Sequence, residues 1–234
     1  MCFSPGLLPC YDLEDKAVVI IDIFRASSAI CTALSHGVRE IIPVMHVSEA
    51  LEYKERGFYV AAERHGEVVD GFDLGNSPYA FMDPKFKDQA IVLTTTNCTK
   101  AIHHASDARH IIIASFLNLT AVADYLKSMD EDIVLLCAGW KNRFNLEDSI
   151  FAGALTQMMG SHVNPECDSA VAAMQLYDLA KNDLRKFLKQ SSHNQRMEYL
   201  QIEDDIQFCL KQDLYTTIPR FNGVSLQPIE SVTA

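Results

Sequence analysis

The chain of 234 residues contains no run of 18 or more apolar residues, so no membrane-spanning helix is expected. It is poor in basic residues: 20 Lys and Arg stand against 31 Asp and Glu, a formal charge of −11. A nucleic-acid-binding surface needs a basic face, so no nucleic-acid partner is expected. The first residues, MCFSPGLLPCYDLEDK, carry no basic stretch followed by an apolar block, and no signal peptide is read there. The seven cysteines are scattered, odd in number and without a CxxC pair. Free thiols in a reducing, cytoplasmic setting are expected rather than a disulfide framework. Also missing are a GxSxG elbow, an HExxH helix, a Walker A loop and a Rossmann glycine fingerprint. Serine hydrolase, zinc protease, P-loop kinase and classical dehydrogenase readings lose their main support with them.

What is present is a normal globular composition, 48% hydrophobic and 22% charged. The length suits one large domain or two small ones. No Pro/Gly/Ser-rich linker divides it, so residues 1–234 read as one compact unit.

The first 160 residues repeat one rhythm, a short apolar run followed by a helical segment. AVVIIDIF (17–24), REIIPV (39–44), QAIVLTTT (89–96), RHIIIAS (109–115) and EDIVLLCAG (131–139) read as strands. Continuous β-branched runs of this kind are buried on both faces. The fold class is therefore α/β, three layers α/β/α with a mostly parallel or mixed sheet. The C-terminal third differs. A long helix is predicted over 168–190, two shorter ones over 191–200 and 202–212, and closing strands around Asn222-Gly223.

In open α/β sheets, ligands sit beyond the carboxyl ends of the strands. That rule selects the polar strand tips. The first, IDIFRASS, holds Asp22, Arg25 and Ser28, a carboxylate, a planar guanidinium and a helix start. It suits an anion beside a metal carboxylate, or an Asp22–Arg25 pair capping the helix. The second, TTTNCT, supplies Thr95, Thr96, Asn97 and Thr99, more hydrogen-bonding side chains than helix capping requires. Cys98 within it is a thiol at a helix start. Ser115 and Asn118 form a third tip, and CAGWKNRFNLEDS (137–149) a fourth. Lys141 and Arg143 there are basic residues in an acidic protein, while Glu147 and Asp148 are ordinary partners for a helix dipole. The segment 62–79, read as a long loop, carries Glu63, Arg64, Asp73, Asn76 and Ser77 with three glycines. Several carboxylates on one loop suit Mg²⁺. Among the histidines, His65 and His193 stand in the most polar settings.

Taken together, IDIFRASSAICTAL, AAERHGEVVDGFDLGNSP, LTTTNCTKAI, ASFLN, LLCAGWKNRFNLEDSIFAGAL and SSHNQ…DDIQFCLKQD resemble the 2-phosphosulfolactate phosphatases, in order and from about residue 3 to 223. The resemblance implies an α/β fold and a Mg²⁺-dependent hydrolase that converts (2R)-2-phospho-3-sulfolactate to 3-sulfolactate and phosphate, a step of coenzyme M biosynthesis. Its partner is a small anionic phosphorylated substrate. The resemblance marks the positions, and the chemistry of metal and anion binding, not the resemblance, makes Asp22, Arg25, Glu63 and Arg64 the catalytic candidates. Substrate-binding candidates are Ser28, Asn76, Ser77, Thr95, Thr96, Asn97, Thr99, Ser115 and Asn118. The expected metal ligands are Asp22, Glu63 and Asp73, with Arg25 and Arg64 clamping phosphoryl or sulfonate oxygens. The sequence departs from the family string at Cys98, where Gly is usual, and at Lys100, where Arg often stands. Activity on another small phosphorylated hydroxy acid, or anion binding without catalysis, is the alternative. A homodimer is the default assembly.

Overall fold

The computed structural model describes residues 1–165 and 167–230. Among them, nine strands form one mixed sheet. In chain order they are β1 (Ala17–Ile21), β2 (Glu40–Pro43), β3 (Tyr59–Arg64), β4 (Glu67–Val68), β5 (Ala90–Thr94), β6 (His110–Ala114), β7 (Ile133–Cys137), β8 (Thr217–Phe221) and β9 (Leu226–Glu230). The helices are α1 (Ala26–Ser35), α2 (Val47–Glu55), α3 (Cys98–His104), α4 (Leu119–Lys127), α5 (Leu146–Met159), α6 (Asp168–Ala180), α7 (Leu184–Leu188), α8 (Ser192–Tyr199) and α9 (Glu203–Cys209). None is long and apolar enough to cross a membrane.

The strand order is β4-β3-β5-β2-β9-β8-β6-β1-β7. Two parallel blocks, β3-β5-β2 and β6-β1-β7, are joined only through the antiparallel β8–β9 hairpin. The expected α/β layering is present. Along β1, Val19 and Ile21 face one apolar core, Val18 and Ile20 the other, and all four are fully buried. Each such side chain contributes about 1.5–3 kcal/mol of transfer free energy.

The hairpin holds the blocks by short ladders. β8 pairs with β6 over Phe221 and Arg220 only, and β9 with β2 at Leu226 only. Beyond those points Pro219 and Pro228 lie opposite each other. Neither has an N–H with which to extend a ladder outward. The turn between the strands is fixed by Asn222, whose Oδ1 accepts from Val224 N–H at 3.0 Å and Ser225 N–H at 2.9 Å.

The sheet is curled, and geometry requires it. β3 and β1 are six strand spacings apart in the order. In a flat sheet that is roughly 29 Å at about 4.8 Å per spacing. Yet Glu63 at the end of β3 and Asp22 just past β1 line one cleft. Helix α1 packs against β2, β6, β8 and β9, across the junction of the blocks. Nine of its ten residues are buried, from Ala26 to Leu34, and its small side chains suit that crowded position. Two of its hydroxyls are satisfied by backbone: Ser27 Oγ donates to Asp22 O at 2.7 Å and Thr32 Oγ1 to Ser28 O at 2.8 Å.

Two elements differ from the sequence expectation. The helix predicted over 168–190 is broken after Ala180, and α7 restarts with Asp183 Oδ1 accepting from Lys186 N–H at 2.9 Å. The start of the segment read as a loop, residues 62–64, belongs to β3, whose two central alanines carry little strand propensity. Pairing with β5 overrides that weakness.

Helices α5 and α6 pack backbone against backbone at Gly153. A Cβ there would lie 2.0 Å from the Ala173 carbonyl oxygen. Backbone cannot yield as a flexible side chain does, so Gly153→Ala must push the helices apart. The expected destabilisation is about 2 kcal/mol, a fall in Tm of about 4–8 °C. Calorimetric melting checks it, and an unchanged Tm contradicts the packing.

Candidate active site

The cleft lies beyond the carboxyl ends of β1, β3 and β5. It is lined by Asp22, Arg25, Glu63, His65, Thr96 and Asn97 from the strand tips, by Asn76 from the loop after β4, by Trp140 and Lys141 from the loop after β7, and by His193, Arg196 and Leu200 from α8 and its end.

Its floor is acidic. Glu63 is set by a tight turn in which His65 and Gly66 both have positive φ, the geometry of a two-residue hairpin between β3 and β4. The turn brings Gly66 N–H back to Glu63 Oε1. Glu63 Oε2 accepts from Thr96 Oγ1 at 3.0 Å. Asp22 is 8% exposed. Burial, then the charge of Glu63, pushes its pKa up to about 7, against the opposing influence of His193 and the Ala26 amide. Asn76 is buried, and its Oδ1 has no hydrogen-bond partner.

A second pair of carboxylates lies behind the floor. Asp148 Oδ1 accepts from Ile23 N–H at 2.9 Å and Oδ2 from Gly139 N–H at 3.1 Å. It ties the tips of β1 and β7 together. Burial and the charges of Asp22 and Glu147 hold its pKa well above the usual carboxylate range. Glu147 accepts from Asn145 Nδ2 at 3.1 Å and pairs with His193 Nδ1. These two residues do more than complement a helix dipole.

The basic groups are divided. Arg25 is buried, pairs with Asp205 of α9 and donates from Nη2 to Gly66 O at 2.7 Å. Ser77 Oγ supports the same Asp205 at 2.8 Å. The sequence alternative of an Asp22–Arg25 pair is thus replaced by Arg25–Asp205. At the opposite wall, Lys141 Nζ and Arg196 each lie 4.7 Å from the Trp140 ring centroid. Arg196 Nη2 meets His193 Nε2 at 2.9 Å. Guanidinium only donates, so Nε2 accepts and the ring proton sits on Nδ1, toward Glu147.

Of the candidates named from sequence, the structure brings together Asp22, Arg25, Glu63, Asn76, Thr96 and Asn97. Ser77 borders the adjoining groove and reaches the cleft through Asp205. The others lie elsewhere. Arg64 follows Glu63 in a strand, so its side chain leaves by the other face. It bonds Thr94 Oγ1 at 3.0 Å and does not line the cleft. Asp73 accepts from Val60 N–H at 3.0 Å, near the start of β3 rather than its end, and pairs with Lys54. It does not line the cleft with Asp22 and Glu63. Ser28 is buried with its hydroxyl on Ile23 O at 3.1 Å. Thr95 and Thr99 cap α3 reciprocally, each hydroxyl accepting the other's N–H, at 3.1 and 3.2 Å. Ser115 and Asn118 are buried, and Asn118 bridges Ser115 N–H and Thr217 O, each at 3.0 Å.

Cys98 opens α3 without a positive φ, so the turn tolerates a side chain where the family string has Gly. Its thiol is fully buried, and burial followed by Asp22 and Asp148 raises its pKa well above the usual thiol value. A nucleophilic thiolate is not supported there. The sequence reading missed Arg196 and Asp205 as site residues. Their one signal was position, within the SSHNQ and DDIQFC strings of the C-terminal third.

The profile of the 2-phosphosulpholactate phosphatase family matches residues 2–223. The chain is 44% identical over 219 residues to a protein of Thermotoga maritima named probable 2-phosphosulfolactate phosphatase, covering 93% of this chain and 95% of that one. A protein of the same name from Caldanaerobacter subterraneus is 38% identical over 219 residues, 91% of each chain. One from Clostridium novyi is 32% identical over 214 residues, covering 90% and 91%. With the family profile spanning nearly the whole chain and these relatives matching it end to end, the chain belongs to the 2-phosphosulfolactate phosphatase family.

Proposed function

We propose that this chain is a phosphoric monoester hydrolase that cleaves 2-phospho-3-sulfolactate to 3-sulfolactate and inorganic phosphate, with Mg²⁺ as cofactor. The observation that carries the reading is the polarity of the cleft, with carboxylates at its floor and cations on its opposite wall. Substrate phosphate is an anion, and a carboxylate floor repels it unless a cation lies between them.

The donor set fits Mg²⁺. Asp22 and Glu63 offer two carboxylates, and Asn76 Oδ1 is a buried oxygen without a partner. Among the described residues no group of three or more His, Cys, Asp or Glu is arranged to hold a metal. That suits an ion that takes one or two carboxylates and completes its shell with water and substrate phosphate. When bound, Mg²⁺ neutralises charge on the phosphoryl and leaving oxygens.

The chain's residues do the positioning on which phosphoryl transfer depends. Thr96 and the Gly66 amide fix the rotamer of Glu63. Asp205 and Gly66 O orient the Arg25 guanidinium at the cleft wall. In the reaction a water oxygen attacks phosphorus, the bond to the ester oxygen breaks, and that oxygen leaves with the sulfolactate, the attacking water losing one proton and the leaving oxygen gaining one. A second reading, with Asp22 as a covalent nucleophile, is favoured by its place on the floor and differs in where phosphate resides midway.

Phosphate release from 2-phosphosulfolactate is expected with Mg²⁺, to cease with EDTA and to return when Mg²⁺ is restored. A folded protein that releases none overturns the proposal, and undiminished release in EDTA overturns the cofactor. Asp22→Asn is expected to lower kcat by about 100-fold or more, and steady-state kinetics near wild type would remove Asp22 from the machinery. Acid quench during turnover of ³²P-labelled substrate is expected to leave no label on protein. Label on the Asp22 peptide would replace attacking water by an aspartyl phosphate.

A further inference from the structure

We propose that Trp140, Lys141 and Arg196 form a second anion subsite, one that takes the sulfonate of the substrate while its phosphate lies toward the Asp22–Glu63 floor. The proposal rests on the phosphosulfolactate reading above and deepens it by naming what selects the substrate.

Four positively charged side chains stand on or near the cleft, and they are not equivalent. Arg25 already has Asp205, and Arg64 is turned to Thr94. Lys141 and Arg196 line the cleft with no carboxylate partner among the described residues. Both lie 4.7 Å from one indole ring, so two like charges are gathered on a single aromatic side chain. Arg196 also has a buried Nε with no hydrogen-bond partner, although its Nη2 is anchored on His193. A buried donor left unmade is costly, and an anionic oxygen satisfies it.

The backbone is shaped for the same purpose. Trp140 and Arg143 exchange both backbone hydrogen bonds at 3.0 Å, closing a two-residue turn. Its central residues, Lys141 and Asn142, have φ of 51° and 58°. Glycine would occupy such a turn with less strain. A lysine there gives up that ease and places an ammonium over Trp140. The entrance to the turn admits no alternative either, because a Cβ on Gly139 would meet Arg143 O at 2.3 Å.

A sulfonate suits these groups. It is a strong acid, charged throughout the physiological range, with three oxygens for a guanidinium and an ammonium to share. A substrate lacking it leaves both cations unpaired, and a site built around hydrogen-bonded groups rejects such analogues strongly. The His193 bridge between Glu147 and Arg196 makes His193 a positioning residue for the subsite.

Trp140 is the only tryptophan in the chain, so its fluorescence reports this subsite directly. The full chain is titrated with 3-sulfolactate, lactate and inorganic phosphate, each separately, following Trp140 emission, with calorimetry giving the affinities. 3-Sulfolactate is expected to bind at least 10-fold more tightly than lactate and to change the emission to saturation. Lys141→Gln and Arg196→Gln are each expected to weaken it 10-fold or more, with Arg196→Lys recovering part of the loss. Melting curves confirm that the variants are folded, and Arg196→Lys carries the test if the Gln variant is not. Equal affinity for 3-sulfolactate and lactate, wild-type affinity in both Gln variants, or a larger emission change with phosphate than with 3-sulfolactate overturns the subsite. None of these readouts depends on turnover. Absent hydrolysis with selective 3-sulfolactate binding refutes the catalytic reading alone, and hydrolysis with unselective binding refutes the subsite alone.

Discussion

The structure is organised around the repulsion of four buried or nearly buried carboxylates at one end of the sheet, Asp22, Glu63, Glu147 and Asp148. Taking even one carboxylate out of water is expensive, and neighbours of like charge add to it. The protein answers each differently. Asp148 receives two backbone amides, Glu63 receives two amides and a hydroxyl, and Glu147 receives an amide group and an imidazole. Asp22 receives the least, and its pKa is pushed up to about 7. A divalent cation against Asp22 and Glu63 reverses that sign, because its own charge becomes the largest in the site. The group least compensated by the fold is thus the one best suited to a ligand.

This convergence depends on the path of the chain. The carboxylates come from strands of two parallel blocks, and only the curl of the sheet brings them together. The curl has two structural bases. The β8–β9 hairpin joins the blocks through short ladders that stop at Pro219 and Pro228. Helix α1, small in side chain and buried nearly throughout, packs on the strands of that junction. The last residues described complete the same sheet that holds the first strand of the site.

Strand periodicity and the strand-tip rule made the α/β layering and the ends of β1 and β5 legible. TTTNCT shows how far composition alone reaches. Five polar side chains looked excessive for capping, and the structure divides them: Thr95 and Thr99 cap, Thr94 accepts from Arg64, and Thr96 and Asn97 face the cleft. Arg64 shows the cost of missing a strand. With 62–79 read as a loop, nothing separated Arg64 from Glu63; once β3 is recognised, alternation sends them to opposite faces. Asp73 carried the right chemistry, but its Val60 contact depends on how the following chain folds back along β3. Arg196 and Asp205 were hidden for another reason. Their roles arise from contacts more than 50 residues distant in sequence, and no local pattern encodes which carboxylate will meet Arg25.

The net charge of −11 makes the remaining question one of distribution. At an ionic strength near 0.15 M, exposed charges are screened beyond about 8 Å, so the acidic exterior weighs little inside a cleft. What an entering polyanion meets is local. It meets Arg25 fixed by Asp205 on one wall and the Trp140 pair of cations on the other. It meets carboxylates only at the floor, where the proposed Mg²⁺ would stand between. A uniformly basic pocket would hold phosphate in any orientation. A pocket with a carboxylate floor and a cationic wall holds a molecule with two different acids in one orientation, because only phosphate shares a metal with carboxylates while a sulfonate is served by Lys and Arg alone. On the proposed reading, substrate orientation follows from charge left uncompensated at the Asp22–Glu63 floor and at the Trp140 wall.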